Sequence, residues 1–375
     1  MLQFLWIGNP ENRRCQFFLE AAQQEGFPPP ILLSYATLLH QQVDWDTLLH
    51  KVDCIRLESP GENATVAQGL LYWGAAAAGK AALTADVQLP KGSLAGLRQQ
   101  HLGFLKVLEE IELALKGFPH IQLMNSLEFI QLCFDKQECH THFAQQGIAV
   151  PPALYGIQNY EHLRAQMAEK NWTRVFVKPL HGSSASGVVA FRTKGNKVQA
   201  ITSVEMQPHQ GQLQLFNSLQ LRHYKTEKEL TLLINQLAKE GILVEQWLPK
   251  ASLGNAVFDL RLVVIGGQCQ QVVVRQSQSP LTNLHLGNQR GDLEVLKKKM
   301  GSSTWQQVQE LAEQAANSLP PHQYACLDVL VRADFEQAYI LEANAFGDLL
   351  PRVYYQGRDT YRATLHHLKQ VHYVG

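Results

Sequence analysis

Residues 174–188 read RVFVKPLHGSSASGV, an apolar, β-rich run that carries Lys178 and then opens into Gly182, Ser183, Ser184, Ala185, Ser186 and Gly187. A phosphate loop of the GxxxxGK[ST] kind sets its lysine and backbone amides at the mouth of a helix. Here the order is reversed: Lys178 precedes the glycines, and residues 188–191 read as another strand. The stretch is therefore a β-hairpin and not a Walker loop. Its small-residue tip can fold over a polyphosphate and offer amide donors, with Lys178 pointing in from the strand. Taken by themselves, the same residues describe a flexible turn beside a satisfied strand lysine equally well.

Other parts of the chain bear on that choice. Upstream, Asp135 and Lys136 stand where a helix over 135–146 begins. A lysine in the first turn opposes the helix dipole, so an anionic ligand or a purely solvated side chain has to account for it. Downstream, ILVEQWLP at 242–249 is a buried strand ending in Glu245, Gln246, Trp247 and Leu248. Such an end can pair with the edge of adenine between apolar walls, or can be plain core.

In CLDVLVRADFEQAYILEANAFGD, Asp328 lies on one apolar strand, and Glu342 and Asn344 lie two apart on the next, which sends the latter pair to one face. An Asp, a Glu and an Asn carbonyl make a hard oxygen set suited to Mg²⁺ held between protein and phosphates, with salt bridges to arginine as the alternative. Arginine is at hand. Asp259 and Arg261 alternate with apolar residues in VFDLRLVVIGG, and Arg275 closes QVVVRQS. Cations beside such a site suit a reaction that builds negative charge on transferring phosphoryl oxygens. The segment PLTNLHLGNQRG at 280–291 then adds Asn283, His285 and Arg290 in a Gly-containing loop.

Around these motifs the N-terminal part alternates strands (4–8, 30–34, 54–58) with helices (12–25, 64–78), the pattern of a parallel sheet covered by helices, without a GxGxxG fingerprint. A long amphipathic helix is predicted over 94–116 and two short ones over 126–132 and 135–146. Strands then dominate (174–179, 187–192, 242–247, 257–265, 269–275, 325–331, 338–343), with helices at 227–239 and 303–318. The 195–225 stretch carries no motif.

The 375 residues exceed one ordinary core. Thirty-three basic residues balance 33 acidic ones, which gives no global electrostatic case for nucleic acid or anionic membrane. Six cysteines without a CxxC pair read as reduced thiols. With no leader-like start and no apolar run of about 18 residues, a cytoplasmic protein is expected. Cys139, His140 and His142 do not share one helical face, and no Gly-x-Ser-x-Gly elbow or HExxH motif is present.

The order of motifs resembles the ATP-grasp superfamily over roughly 120–355: DK at a helix start, FVKP with its GSSASG loop, VEQWL, D-x-R, a strand ending in Arg275, TNLHLGN, and D with LEAN. TNLHLGN is similar to the NLHxGG pattern of the branch with the ribosomal-protein glutamate ligases and glutathione synthetases, and VEQWL to the D-alanine:D-alanine ligases. The resemblance implies an α/β ATP-grasp fold, two α+β subdomains clasping ATP, behind a parallel-sheet N-terminal domain. The corresponding divisions are 1–120, 121–249 and 250–375.

It also implies residue roles. Lys136 and Lys178 would bind the ATP phosphates, and 182–187, with Gly182, Ser183, Ser184, Ser186 and Gly187, would form a mobile lid. Glu245, Gln246, Trp247 and Leu248 would line the adenine pocket, and Asp259 would contact the ribose. Asp328, Glu342 and Asn344 would hold Mg²⁺, with Mn²⁺ as an alternative ion. Arg275 and Arg261 would stabilise an acyl-phosphate step, with Asn283 near the phosphates or the acceptor. The implied activity is an ATP-dependent carboxylate-amine ligase for small-molecule or peptide substrates. A kinase of the same fold and a non-catalytic ATP-binding module are the alternatives. Two positions depart from the pattern: no proline follows Asn344 in NAFGD, and Asn288 replaces the second glycine of NLHxGG.

Overall fold

The computed structural model describes every residue except 62, 85, 86, 88, 183–185, 210, 211, 347–349, 351 and 375. The chain begins with β1 (Phe4–Gly8), α1 (Arg13–Gln24), β2 (Ile31–Ser34), α2 (Tyr35–Leu39), α3 (Trp45–Leu49), β3 (Cys54–Leu57), α4 (Ala64–Ala78), α5 (Leu97–Leu115) and β4 (Gln122–Leu123). The strands pair in parallel in the order β2-β1-β3-β4. Every residue of β1 is buried, as expected of a parallel strand covered on both faces. Side-chain caps set the helix starts: Asn12 accepts from the Arg14 amide and Asn63 from the Val66 amide. Helices α4 and α5 cross backbone to backbone, since a Cβ on Gly103 would overlap the Leu70 carbonyl and one on Gly74 the Gln99 carbonyl.

The second sheet follows α6 (Leu127–Phe134) and α7 (Lys136–Gln145). It comprises β5 (Ala153–Leu154), β6 (Arg174–Pro179), β7 (Val189–Lys194), β8 (Lys197–His209), β9 (Gln212–Tyr224) and β10 (Ile242–Gln246), with α8 (Tyr160–Glu169) and α9 (Glu227–Ala238) between strands. The order is β5-β10-β6-β7-β8-β9, antiparallel throughout. Val175, Val177 and Phe191 turn to one face and pack on Leu163, Leu230 and Ile234. Period-two alternation therefore sends Phe176 and Lys178 to the other face. The stretch without a motif is the β8–β9 arm at the sheet edge, and α8 was likewise not predicted.

The third sheet holds β11 (Ser252–Leu253), β12 (Ala256–Ile265), β13 (Gln268–Ser277), β14 (Gln289–Gly291), β15 (Tyr324–Val331) and β16 (Ala338–Asn344), with α10 (Leu293–Met300) and α11 (Ser302–Ser318) before β15 and α12 (Thr360–Val374) last. The order is β14-β13-β12-β15-β16, and β11 pairs with β12. One face, with Leu260, Leu262 and Leu327, belongs to a core that includes α11 residues Ala312 and Ala315 and runs on to Ile7, Leu57 and Phe104 of the first unit. The other face, with Val263, Tyr324 and Cys326, meets Phe4, Trp6, Phe18 and α12 residue Leu365. The first and third sheets thus share their cores on both faces. Among the described residues, no helix is long and apolar enough to cross a membrane.

Candidate active site

Asp135 caps α7 by accepting from the Gln137 and Glu138 amides, which fixes Lys136 as the first helical residue. Its ammonium donates to the Gly182 carbonyl at 2.5 Å, so the helix start and the root of the glycine loop are joined although 46 residues separate them. Burial lowers the Lys136 pKa, and the Glu342 carboxylate opposes that shift. Ser183 and Ser184 lie outside the described residues, while Ser186 is half-buried. Gly187 adopts φ +77°, and a Cβ there would come 2.5 Å from Cγ of Pro179, so the turn back into β7 requires glycine.

Lys178 pairs with Glu245 across β6 and β10 at 2.7 Å. Glu245 is 1% exposed, lies in register between Ala153 and Phe176, and keeps one buried carboxylate oxygen without a hydrogen-bond partner. Its side chain, turned to the lysine, is what faces the site. The Gln246 and Trp247 amides donate to the Pro152 and Arg174 carbonyls. The Trp247 ring stands 5.2 Å from Phe176, at the rim of a small apolar cluster of Phe176, Val188, Ala190 and Leu281. Leu248 beside it is half-buried. Leu281 belongs to the loop after β13, so this cluster joins the second and third sheets.

On the third sheet the charged residues alternate with apolar ones and share one face. Register sets Asp259 opposite Arg275, Arg261 opposite Asp328, and Asp328 opposite Glu342. Arg261 grips Asp328 with two bonds, 2.7 and 2.9 Å, and Arg275 reaches the same carboxylate at 3.0 Å and Asp259 at 2.6 Å. Burial would raise the Asp328 pKa, but Arg261 and then Arg275 outweigh it and hold the carboxyl well below its usual range. Glu342 behaves oppositely: burial and the Asp328 charge raise its pKa, although Lys136 and Lys178 pull it down. The two acids stand opposite each other across β15 and β16, and an Arg261 nitrogen lies 3.9 Å from the Glu342 carboxylate. Asn344 sits opposite Cys326, its side-chain amide 3.5 Å from the Cys326 carbonyl.

An acid pair with one member short of a cation, beside an amide carbonyl, is an all-oxygen donor set that fits Mg²⁺. Glu342 and Asn344 can serve directly, and Asp328 only by sharing an oxygen with its arginines. Lys136 at the start of α7 lines one small cavity with Glu342 of β16, and the charges of Lys136 and of Lys178 on β6 both act to lower the Glu342 pKa.

Other expectations fare differently. Asp259, expected at a ribose, is 2% exposed with its carboxylate held by Arg275, Lys250 and Thr282, so it orients Arg275 instead of facing outward. Asn283 accepts from the His285 amide and caps the turn at Leu284–Leu286. Asn288, which replaces a glycine of the pattern, donates to the Leu281 and Asn283 carbonyls and so staples that loop. His140 bonds Pro151 and Tyr155 and His142 bonds Ser318, consistent with structural roles. Lys250 escaped the sequence reading: it is buried, 3.1 Å from Asp259 and 2.7 Å from Thr282. A lysine directly after the apolar strand end WLP was its only signal.

Known structures share this frame. D-cycloserine synthetase DcsG superposes with a TM-score of 0.57 at 13% identity, covering 96% of this chain and 98% of that one. The ATP-grasp ligase PsnB, solved with precursor peptide PsnA2 and AMPPNP, gives 0.51 at 15%, covering 98% of each chain. D-alanine–D-alanine ligase from Bacillus anthracis with ATP gives 0.52 at 11%, covering 98% of this chain and 95% of that one. At such identities the likeness is one of fold. No curated protein sequence matches significantly. Residues 125–346, more than half of the chain, match the family model for YheC/D-like ATP-grasp proteins. That span runs from the helix before Lys136 to the strand bearing Glu342 and Asn344, and the chain therefore belongs to the YheC/D-like ATP-grasp family.

Proposed function

We propose that the protein is an ATP-dependent carboxylate-amine ligase that forms an amide bond through an acyl phosphate, on an amino acid, a peptide or a protein tail. The observation that carries this reading is that Lys136 shares a cavity with Glu342, which stands opposite Asp328, itself held by the arginines Arg261 and Arg275. Lys136 and Lys178 hold the phosphates, and the adenine packs against the apolar cluster at Phe176, Trp247 and Leu281. Glu342, Asn344 and Asp328 would hold Mg²⁺, which would supply positive charge against the phosphates. Arg275 and Arg261 stand ready for the charge that develops on the transferring phosphoryl group, needing no reorganisation because Asp259 and Asp328 orient them.

A substrate carboxylate oxygen attacks the γ-phosphorus, and the bond from that phosphorus to ADP breaks. The amine nitrogen then attacks the acyl carbon, phosphate leaves, and the nitrogen loses a proton. A similar structure, the ATP-grasp ligase PsnB, is complexed with precursor peptide PsnA2 and AMPPNP, which supports a ligase that works on a chain or its fragment.

The test is ADP release from the purified protein with Mg²⁺ and ATP, screened over amino acids and short peptides. ADP, phosphate and an amide product should appear together, and only when both acid and amine are present. A stable phosphorylated product formed without amine would overturn the ligase reading. Glu342→Ala should abolish turnover with the fold intact by circular dichroism; turnover at the parent rate would show the metal site to be wrongly placed.

A further inference from the structure

Beside the ATP site, three metal-capable side chains converge from elements far apart in sequence. His101 lies on α5, Asp135 at the cap of α7, and His181 two residues past the end of β6. One ligand-type atom of each lies within 4.8 Å of the other two. The two imidazoles stack with centroids 3.9 Å apart and planes 10° from parallel. Nδ1 of His101 is buried without a hydrogen-bond partner, an arrangement proteins rarely leave in place. Asp135 spends one oxygen on the helix cap, and the other stands 3.8 Å from Nδ1 of His181. That His181 nitrogen has only a long contact, 3.5 Å, to the Phe134 carbonyl.

We propose that His101, Asp135 and His181 bind one divalent transition-metal ion of the Zn²⁺, Co²⁺ or Ni²⁺ type, tying α5 to the root of the glycine loop. Two imidazoles and a carboxylate select such ions over Mg²⁺, and three protein ligands leave a fourth position for water. Bonds of about 2.0–2.2 Å in a tetrahedron need ligand atoms roughly 3.3 Å apart. Closing that gap requires one ring to turn out of the stack about its broad terminal torsion, so that its in-plane lone pair points at the shared ion. Both histidines bind as neutral imidazole. Burial and the facing His181 hold the His101 pKa down to about 4, and burial lowers that of His181 as well, so no proton competes near neutral pH. Lys136 and Arg98 are the nearby cations, and they oppose a dication as they oppose imidazolium. The ion would fix His181 next to Gly182, the residue whose carbonyl already holds Lys136.

Metal-free protein titrated with Co²⁺ alone tests this, because the visible absorption bands of the bound ion report on it without ATP. One Co²⁺ per chain is expected, and Zn²⁺ should displace it and raise the Tm. His101→Gln and His181→Gln should each weaken binding by at least roughly tenfold. Asp135→Asn, which keeps a helix cap, should do the same and guards against loss of folding in the histidine variants. A His366→Gln, His367→Gln control should bind like the parent. Absence of bands at millimolar Co²⁺, or parent-like affinity in all three variants, would overturn the proposal. Neither result depends on the ligase reading.

Discussion

At Glu342, burial and the Asp328 carboxylate favour the protonated acid and outweigh Lys136 and Lys178, which favour the ion. The folded-state pKa therefore lies above the ordinary 4.5, so the native state binds this proton more tightly than the unfolded chain does. The corresponding stability is present below 4.5 and is lost as pH rises through the folded value. Glu342→Gln keeps a hydrogen-bonding side chain without the charge. It should melt higher than the parent at pH 7.5, with the gain vanishing towards pH 4, while ATP turnover is lost. Thermal melts at several pH values check this, and a lower Tm at pH 7.5 would mean that the two lysines outweigh burial. The site thus trades stability for an acidic pair that a cation can use. Asp328, Glu342 and the arginines were legible in the sequence because charge inside an apolar alternating strand is conspicuous. Lys250 and Thr282 were not, since their burial comes from the packing of a loop against β12 and leaves no periodic trace.

Among the elements, the β6–β7 hairpin depends most on one residue. Gly187 combines φ +77° with close approach to Pro179, the last residue of β6. Gly187→Ala should cost about 1–3 kcal/mol in urea unfolding. Because the strained turn sits between Lys178 and the strand that returns from the loop, the same variant should lower kcat/KM for ATP about tenfold or more. Parent-like values of both would show the turn to be uninvolved. Strands and helices with a strong period were readable from the sequence, α1, α4, β12 and β15 among them. The β8–β9 arm was not: the buried alternate positions Val198, Ala200 and Val204 are interleaved with Gln199, Ser203 and Glu205, and two 13-residue strands of such mixed polarity carry no motif. Helix α8 was masked by the mixed polarity of YEHLRAQMAE, its start visible only as the Asn159 cap.

Over the whole molecule, Arg56 joins what the sequence keeps apart. It is 1% exposed, bonds Glu58 at 2.6 and 2.8 Å, and lies against the rings of Phe18, Tyr324 and Tyr361, which come from α1, β15 and α12. Arg56→Met leaves Glu58 buried without its partner and should cost about 3–5 kcal/mol by urea unfolding. Adding Glu58→Gln should recover a substantial part of that loss; no recovery would mean that the aromatic contacts, and not the charge, hold the sheets together. The sequence by itself determined the α/β class, the hairpin with its lysine before the glycines, and the row of carboxylates and arginines. Those features follow from local period, turn chemistry and the cost of charge in apolar strands, all of which act over a few residues. Only the tertiary structure decided that Asp259 turns inward to Arg275, that Lys136 reaches Gly182, that the first and third sheets share their cores, and that His101 meets His181. Each of those links residues from 16 to more than 200 positions apart, and burial of the intervening chain, which no short stretch encodes, brings them together.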